Sequence, residues 1–401
     1  MGTVPNQQQG DFSTMLKITN GQICEKAGKP LNLKGFNLGG WLLMEGFLLG
    51  GRNIPQHQFF KILFDKFGKK QTELILEKFW ANFINKNDIE NITSLGLNCV
   101  RLPFHYKIFT EYPNNIALKY FYGIIKSCQK NRIYCILDMH AAPGSQNADW
   151  HSDSAGKSLF WEKRKHRESA LKIWEMLAEK FKGADFIAGF NILNEPVTDK
   201  ISTAADYYNL AIKRVSSIDP NRLIFLDGLV WSTDFTIIKK IRNLKNVVIS
   251  PHFYNPVDYV FNFTPKIKYP GKIGGEYWDK KKLRAILRNY AKTAADTGCP
   301  VFIGEFGLNT SRNNAEWVFD TVRLFEEFGF GWAYWPYKSV YNHQFPSGLY
   351  QYIPNDPWIK REGPLFGWEN YAKLNNIELA RLFDSWKTKN YKLNTPLLES
   401  L

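Results

Sequence analysis

The chain has 401 residues, of which 44% are hydrophobic, and it carries a formal net charge of +14. This apolar content is ample for a large core, but no apolar stretch reaches transmembrane length, so we expect no membrane span. The lysines and arginines are scattered and form no recognisable nucleic-acid motif, so we assign most of the charge to a solvated surface and expect no nucleic-acid partner.

The amino-terminal residues 1–14, "MGTVPNQQQGDFST", predict a disordered lead or a cloning remnant, with Met15 as a candidate natural start. This segment has no apolar signal core. The compartment stays open between the cytoplasm and secretion with the signal already removed. Residues 15–33 predict a short β-hairpin around turn signals.

A repeating pattern begins after this hairpin. Short apolar runs rich in β-branched and aromatic residues predict strands at 33–38, 97–102, 133–139, 187–193, 222–227, 246–253, 300–306 and 330–335. Amphipathic spacing predicts helices at 115–130, 167–182, 203–217, 279–296, 313–328 and 369–387. Alternation of this kind predicts a (β/α)8 TIM barrel, an α/β fold, in one domain over 15–401, with the hairpin closing the barrel floor.

Polar and ring-bearing residues recur where the predicted strands end. They are Arg101, Asp138, His140, Asn194, Glu195, His252, Tyr254, Glu305 and Trp335. Each alone has a structural interpretation, such as an Arg101–Asp138 ion pair or a hydrogen-bonded core histidine. Their common position favours a site, because the chemistry of a TIM barrel collects at the carboxyl ends of its strands.

Glu195 and Glu305 follow strands that would face each other across the barrel mouth. Two carboxyl groups that flank one bond are what glycoside hydrolysis requires. We expect Arg101 and Tyr254 to keep Glu305 ionised, and the nearby Glu305 charge to raise the pKa of Glu195. The alternative is an Asn–Glu turn with no chemical role.

The ordered motifs "CVRLPF", "LDMH", "NILNEP", "SPHFY", "VFIGEFG" and "WAYW" closely resemble glycoside hydrolase family 5 over about residues 31–388. The resemblance implies a retaining double displacement with Glu305 as nucleophile and Glu195 as acid and base. It also implies sugar-positioning roles for Arg101, His140, Asn194, His252 and Tyr254, and a platform formed by Trp335. It implies no metal or organic cofactor.

Two further stretches, 35–47 and 140–156, resemble exo-acting β-1,3-glucanases and β-glucosidases. By this likeness Glu45, and Asp149 or Asp153, would bind hydroxyls of a terminal sugar and block one end of the cleft. The expected partner is a β-linked oligosaccharide or polysaccharide. An endo-acting glucanase or mannanase, a β-mannosidase and a non-catalytic sugar-binding protein remain alternatives; the sequence gives no oligomeric state.

Two long aromatic segments, 254–278 and 336–371, follow strands on the predicted active face. Long loops at that face are usually functional. We expect two or three of their rings to line further sugar subsites and the others to pack in the core.

Overall fold

The computed structural model describes residues 15–111, 113–312, 314–352 and 373–401. The predicted lead at 1–14 lies outside the described residues. The loop aromatics Trp358, Phe366 and Trp368 lie outside them as well.

The described chain begins with the predicted hairpin, in which β1 (Lys17–Thr19) pairs antiparallel with β2 (Gln22–Cys24). The hairpin side chains Leu16 and Ile23 pack in one cluster with Cys99 and other residues near the amino ends of the barrel strands. The hairpin therefore covers the end of the barrel opposite to the polar strand ends.

The predicted strands all form, and they pair in parallel as one curved sheet. They are β3 (Lys34–Asn37), β4 (Cys99–His105), β5 (Tyr134–Ala141), β6 (Ile187–Asn191), β7 (Leu223–Leu226), β8 (Val247–Ile249), β9 (His252–Phe253), β12 (Phe302–Phe306) and β13 (Gly331–Tyr334). The predicted sixth strand is interrupted, which separates β8 from β9. Pairing of β12 with β9 and a bridge from Ile249 to Val301 close the ring, so the (β/α)8 barrel is confirmed.

Shorter strands lie in the long loops that follow β9 and β13. A hairpin of β10 (Gly271–Ile273) and β11 (Glu276–Trp278) lies in the first long loop. β14 (Lys338–Val340), β15 (Tyr350–Tyr352) and β16 (Tyr391–Leu393) form a separate small sheet that joins the carboxyl-terminal segment to the loop after β13.

Helices surround the barrel. They are α1 (Gln56–Phe83), α2 (Lys86–Ser94), α3 (Leu118–Lys130), α4 (Leu159–Glu162), α5 (Arg164–Lys180), α6 (Ile201–Ile218), the irregular α7 (Leu229–Ser232), α8 (Val257–Val260), α9 (Lys280–Thr297) and α10 (Glu316–Phe328), followed by helices at Asn376–Ser385 and Thr395–Leu398. The predicted helices correspond to α3, α5, α6, α9, α10 and Asn376–Ser385, and part of the last prediction lies outside the described residues. The predictions did not include α1 and α2, since the apolar residues of α1 form no single stripe and Gly68 interrupts it with φ 67°.

No helix in the described part of the chain combines the length and the apolar character needed to cross a bilayer. All five cysteines are buried and free.

Gly35 shows how closely the barrel strands approach each other. A Cβ atom at this position would lie 1.7 Å from the carbonyl oxygen of Cys99 on β4. The contact is with backbone, so no side chain can move aside to relieve it.

We therefore expect Gly35→Ala to lower the free energy of unfolding by about 3 kcal/mol or more through overpacking. Gly123→Ala is the matched control, because Gly123 lies inside α3 with open space around it. That variant is expected to gain roughly 0.5–1 kcal/mol from helix propensity. Urea unfolding followed by circular dichroism measures both, and equal stability of the two variants would contradict this account of the β3–β4 packing.

Candidate functional site

A cleft of about 690 Å³ opens at the carboxyl ends of the barrel strands. Its lining residues come from loops that follow most of the strands. They are Glu45, Phe47, His140, Asp149, Trp150, His151, Glu195, Val230, Trp231, Thr233, His252, Tyr254, Asn255, Val257, Phe261, Phe263, Glu305, Trp335, Phe345 and Pro346. A mostly apolar concave surface with a few convergent polar groups is typical of a ligand site.

A fully buried guanidinium organises the floor of this cleft. Arg101 donates hydrogen bonds to Glu305 Oε1 at 2.7 Å, Asn194 Oδ1 at 2.7 Å and Asn191 Oδ1 at 2.9 Å, and its Nη2 lies 3.1 Å from Asp138 Oδ1. Burial disfavours the charge, but the Asp138 and Glu305 carboxylates raise the pKa of Arg101 above its usual value. Arg101 binds the amide oxygen of Asn194, and the amide nitrogen of that residue lies 3.4 Å from His140 Nε2.

Glu305 lies on β12 and receives a second hydrogen bond, from the Tyr254 hydroxyl to Oε2 at 2.9 Å. Its predicted partners, Arg101 and Tyr254, are therefore in contact with it. The preceding residue is Gly304, where a Cβ would lie 2.5 Å from Ser250 Oγ. Glycine thus lets β12 approach the interrupted strand that carries His252.

Glu195 follows β6 with a left-handed φ of 44°, a conformation that few side-chain-bearing residues adopt. Its backbone nitrogen donates to Asp227 Oδ2 at 3.0 Å, and its Oε1 lies 2.7 Å from His252 Nδ1. The other nitrogen of His252 lies 3.3 Å from Asp227 Oδ2. Asp227 therefore supports both the backbone of Glu195 and the imidazole beside it.

The charges around His252 determine where its proton resides. Burial lowers the pKa of His252, but the carboxylates of Glu305, Asp227 and Glu195 outweigh burial and raise the pKa to about 9. Burial raises the pKa of Glu195, yet the hydrogen bond and charge of His252 lower it below its usual value. The expectation of a raised pKa for Glu195 is therefore wrong for the ligand-free protein, because His252 holds the shared proton.

The two carboxyl groups meet over the cleft floor. One oxygen of Glu195 and one of Glu305 lie within 4.8 Å of each other, and His252 Nδ1 lies 3.6 Å from Glu305 Oε2. Retaining glycosidases typically have their two carboxyl groups about 5–5.5 Å apart, whereas inverting glycosidases have them farther apart. Glu195, His252 and Glu305 are also close enough together to be metal ligands, and a metal ion bound there would have to displace the proton of His252.

His140 and Trp335 lie side by side at the floor of the cleft. Their rings stack at 5.2 Å with an interplanar angle of 6°. Burial lowers the pKa of His140 well below its usual value, and its Nδ1 lies 2.8 Å from Asp138 Oδ2. Trp335 can occupy its place because Gly39 has no side chain, since a Cβ there would lie 2.5 Å from the indole ring.

The acidic residues predicted to bind a terminal sugar separate into two groups. Glu45 and Asp149 line the cleft, whereas Asp153 lies in a separate hollow. Burial and the nearby carboxylates raise the pKa of Glu45, and its Oε1 is buried without a hydrogen-bond partner. The alternative placing of Asp153 in the cleft is wrong, because its carboxylate faces away and contacts His57 and His105, each at 2.9 Å.

Sequence reasoning missed several residues of the site, among them Asp227, His151 and Trp231. Asp227 ends the predicted fifth strand, so the rule that placed the other strand-end residues could have found it. His151 Nε2 lies 3.4 Å from Glu195 Oε2, and Trp231 lines the cleft and donates to Asp149 Oδ2 at 2.7 Å. The positions of His151 and Trp231 depend on loop conformation, for which the local sequence gives no signal.

Of the long-loop aromatics, Tyr254, Phe261, Phe263 and Phe345 line the cleft, whereas rings such as Tyr259 and Tyr337 are buried in the core. Phe345 has a left-handed φ of 65°. Its ring contacts rings from several loops, with centroid distances of 4.8 Å to Phe47, 5.6 Å to Phe261, 5.6 Å to Phe263 and 5.9 Å to Trp150.

Comparison with known proteins gives a family match to Cellulase (glycosyl hydrolase family 5) over residues 64–340. A β-xylosidase from Phanerodontia chrysosporium is 31% identical over 346 residues, which cover 81% of this chain and 71% of the relative. Endoglucanase C from Acetivibrio thermocellus is 26% identical, with 76% and 91% covered. The solved endoglucanase Cel5A of Thermotoga maritima superposes with a TM-score of 0.60 at 19% identity, covering 92% and 96%, which supports the barrel fold.

The charge environment of His252 generates a direct test. In an NMR titration of the ring carbons, we expect this histidine to titrate near pH 9. Glu305→Gln should lower that pKa by about one unit or more, because it removes the carboxylate that does most to stabilise the imidazolium.

Glu399→Gln is the control, since Glu399 is exposed near the carboxyl terminus. The His252 resonance is identified by its loss in His252→Asn. A pKa near 6.5 in the wild-type protein, or no response to Glu305→Gln, would contradict the assignment of the proton to His252.

Proposed function

The chain belongs to glycosyl hydrolase family 5, a retaining family, and we propose that Glu305 is its nucleophile and Glu195 its general acid and base. The protein is a β-glycoside hydrolase that cleaves O-glycosyl bonds in β-linked saccharides. The observation that carries the proposal is the approach of the two carboxyl groups to within 4.8 Å over an open cleft. We also propose that residues 15–401 form one catalytic domain, since β16 pairs with β15 beside the barrel.

In the first step, a Glu305 oxygen attacks the anomeric carbon and the bond to the leaving oxygen breaks. The hydrogen bonds from Arg101 and Tyr254 orient the attacking carboxylate. Glu195 delivers a proton to the leaving oxygen. Because Glu195 and His252 hold one proton between them, the leaving oxygen competes with His252 for that proton.

In the second step, Glu195 takes a proton from water, the water oxygen bonds to the anomeric carbon, and the ester to Glu305 breaks. Ester formation removes the Glu305 charge, which is the carboxylate that most raises the pKa of His252. Loss of that charge favours the deprotonated Glu195–His252 pair. The second step needs this deprotonated pair, because Glu195 then acts as a base.

The remaining floor residues fit sugar binding. The amide nitrogen of Asn194 carries two hydrogens, and the one not directed at His140 can donate to a hydroxyl beside the reacting carbon, a contact that strengthens in the transition state. The indole of Trp335 offers an apolar surface beneath the ring. Glu45, with its raised pKa and unpartnered oxygen, offers a hydrogen bond to a further hydroxyl.

We propose exo action on short β-gluco-oligosaccharides or β-glucans. The support is the group of rings around Phe345, in which Phe47, Trp150 and Phe261 come from three other loops. Rings that meet across a cleft leave less room for a continuous polysaccharide. The β-xylosidase named above makes β-xylosides the second glycone to test.

The two proposed carboxylate roles predict different losses. Glu195→Gln should reduce kcat/KM about 10²–10⁴-fold on an alkyl β-glycoside, whose leaving oxygen needs a proton. The same variant should lose little kcat/KM on a 2,4-dinitrophenyl β-glycoside, whose leaving group needs no proton, whereas its kcat should fall because the second step lacks its base. Glu305→Gln should abolish turnover of both, because both substrates need the nucleophile to form the glycosyl-enzyme.

Initial rates on both substrates measure these losses, with Glu399→Gln as the control carboxylate. A loss in Glu195→Gln that does not depend on the leaving group would overturn its role as acid. Full activity of Glu305→Gln would overturn its role as nucleophile.

Exo action predicts that single sugars are released from the first moments of digestion. Reduced laminari-, cello- and manno-oligosaccharides and xylo-oligosaccharides are digested in parallel, and the products are sized by chromatography. The rings around Phe345 would then exclude internal binding. A ladder of mid-length products at low conversion would instead favour an endo-acting enzyme.

A further inference from the structure

Several apolar side chains are left exposed on one side of the cleft. Val230, Trp231, Val257 and Phe263 are 46%, 44%, 44% and 42% exposed. All four line the cleft, on the loops that follow β7 and β9. Exposed apolar residues are ordinary when they are scattered, but a contiguous group beside a reacting centre indicates a binding surface.

The turn that presents two of these side chains is strained. Val230, Trp231 and Ser232 have left-handed φ values of 55°, 52° and 58° in succession. For residues with side chains this conformation costs roughly 1–2 kcal/mol each, and it is least favourable for a β-branched residue such as Val230. Strain of this kind persists where the surrounding structure enforces it, most often at functional sites.

The surrounding contacts show what enforces the turn. Leu229 and Asp234 exchange backbone hydrogen bonds of 2.8 and 2.9 Å across its base. Ser232 is fully buried, and its hydroxyl donates to Ser250 O at 2.6 Å. The turn is therefore anchored from below, while Val230 and Trp231 face the cleft.

Trp231 is also fixed relative to the catalytic acid. Its indole nitrogen donates to Asp149 Oδ2 at 2.7 Å, and His151 in the same loop as Asp149 lies 3.4 Å from Glu195 Oε2. The loop that carries Asp149 and His151 thus contacts both the turn, through Trp231, and the carboxyl group of Glu195. A group bound beside Trp231 would lie next to the residue that protonates the leaving oxygen.

Val230, Trp231, Val257 and Phe263 together form what we call the apolar wall of the cleft. This wall offers a sugar hydroxyl few hydrogen-bonding partners. The side chains of Val230, Val257 and Phe263 have no hydrogen-bonding atom, so a hydroxyl placed against them loses water without a replacement partner. An alkyl or aryl surface would gain from the same contact. We propose that this wall binds the leaving group, and that the site also hydrolyses β-glycosides of an apolar alcohol, alkyl or aryl, besides the β-gluco-oligosaccharides proposed above.

This inference rests on the proposed roles of Glu195 and Glu305, since Glu195 places the leaving group on its own side of the cleft. The test uses methyl, butyl, hexyl and octyl β-glucosides below their micelle-forming concentrations, with cellobiose and laminaribiose for comparison. Chain length does not alter the chemical step, so a trend in kcat/KM reports binding of the alkyl chain. We expect kcat/KM to rise roughly 30-fold from methyl to hexyl, about twofold for each of the five added methylenes if each is half-buried.

Variants connect this trend to the wall. Val257→Thr keeps the shape of the side chain and adds a hydroxyl, and Trp231→Ser removes the ring, so each should reduce the hexyl-to-methyl ratio of kcat/KM several-fold. Val230→Gly removes the β-branched side chain from a left-handed position, so it should reduce the ratio without lowering the unfolding temperature. Ile377→Thr is the control, because Ile377 is 69% exposed and lies outside the cleft, and its ratio should equal that of the wild-type protein.

The outcomes separate this proposal from the proposed function. Hydrolysis of all the glucosides with no chain-length trend, or a trend that survives in Val257→Thr and Trp231→Ser, overturns the apolar wall and leaves the catalytic pair intact. A strong preference for the disaccharides that is lost in Trp231→Ser shows that the ring binds a second sugar, which also overturns it. Failure to hydrolyse any β-glycoside, including dinitrophenyl substrates, overturns the proposed function itself.

Discussion

The catalytic floor depends on one buried cation, Arg101. Its guanidinium contacts Glu305, Asn194 and Asp138 from a fully buried position on β4. Moving such a charge out of water costs several kcal/mol, which only close, hydrogen-bonded partners offset. The partners in turn need Arg101, since each would otherwise be a buried polar group with one fewer hydrogen bond. The geometry of the floor is therefore cooperative: the group that holds the Glu305 carboxylate also orients the Asn194 amide.

The balance of charge around that cation explains the unusual proton positions. Among the described residues, the buried cations beside the carboxyl groups of Asp138, Asp227, Glu195 and Glu305 are Arg101 and His252. Burial raises the pKa of Asp138 to about 7 despite the adjacent Arg101, while His252 keeps its proton to about pH 9. A change at one group therefore moves the protons of the others. In the proposed mechanism, this coupling would supply the proton of the first step and the base of the second.

The sequence predicted the floor well because a barrel brings the ends of its strands together. Arg101, Glu195, His252 and Glu305 could be placed on one rim without knowledge of any loop. The same reasoning could not locate Asp153, whose left-handed φ of 57° directs it away from the cleft. It also could not assign the His252 proton, since that depends on distances between side chains from different strands. Residues at the strand ends could thus be placed from the sequence, whereas residues on loops could not, because distant contacts fix the loop conformations.

Asp153 shows how such a loop is fixed. Its carboxylate accepts from the backbone nitrogen of His57 at the start of α1 at 2.8 Å, and it also contacts His105 at the end of β4. Burial disfavours its ionised form, yet these histidines lower the pKa of Asp153 well below its usual value. Four residues earlier in the same loop, Asp149 faces the cleft and accepts from Trp231. The loop that shapes the apolar side of the cleft is thus anchored from behind by a charged residue that never reaches the substrate. On the proposal made above, strand ends carry the chemistry and anchored loops select the leaving group, and the two can vary separately on one barrel.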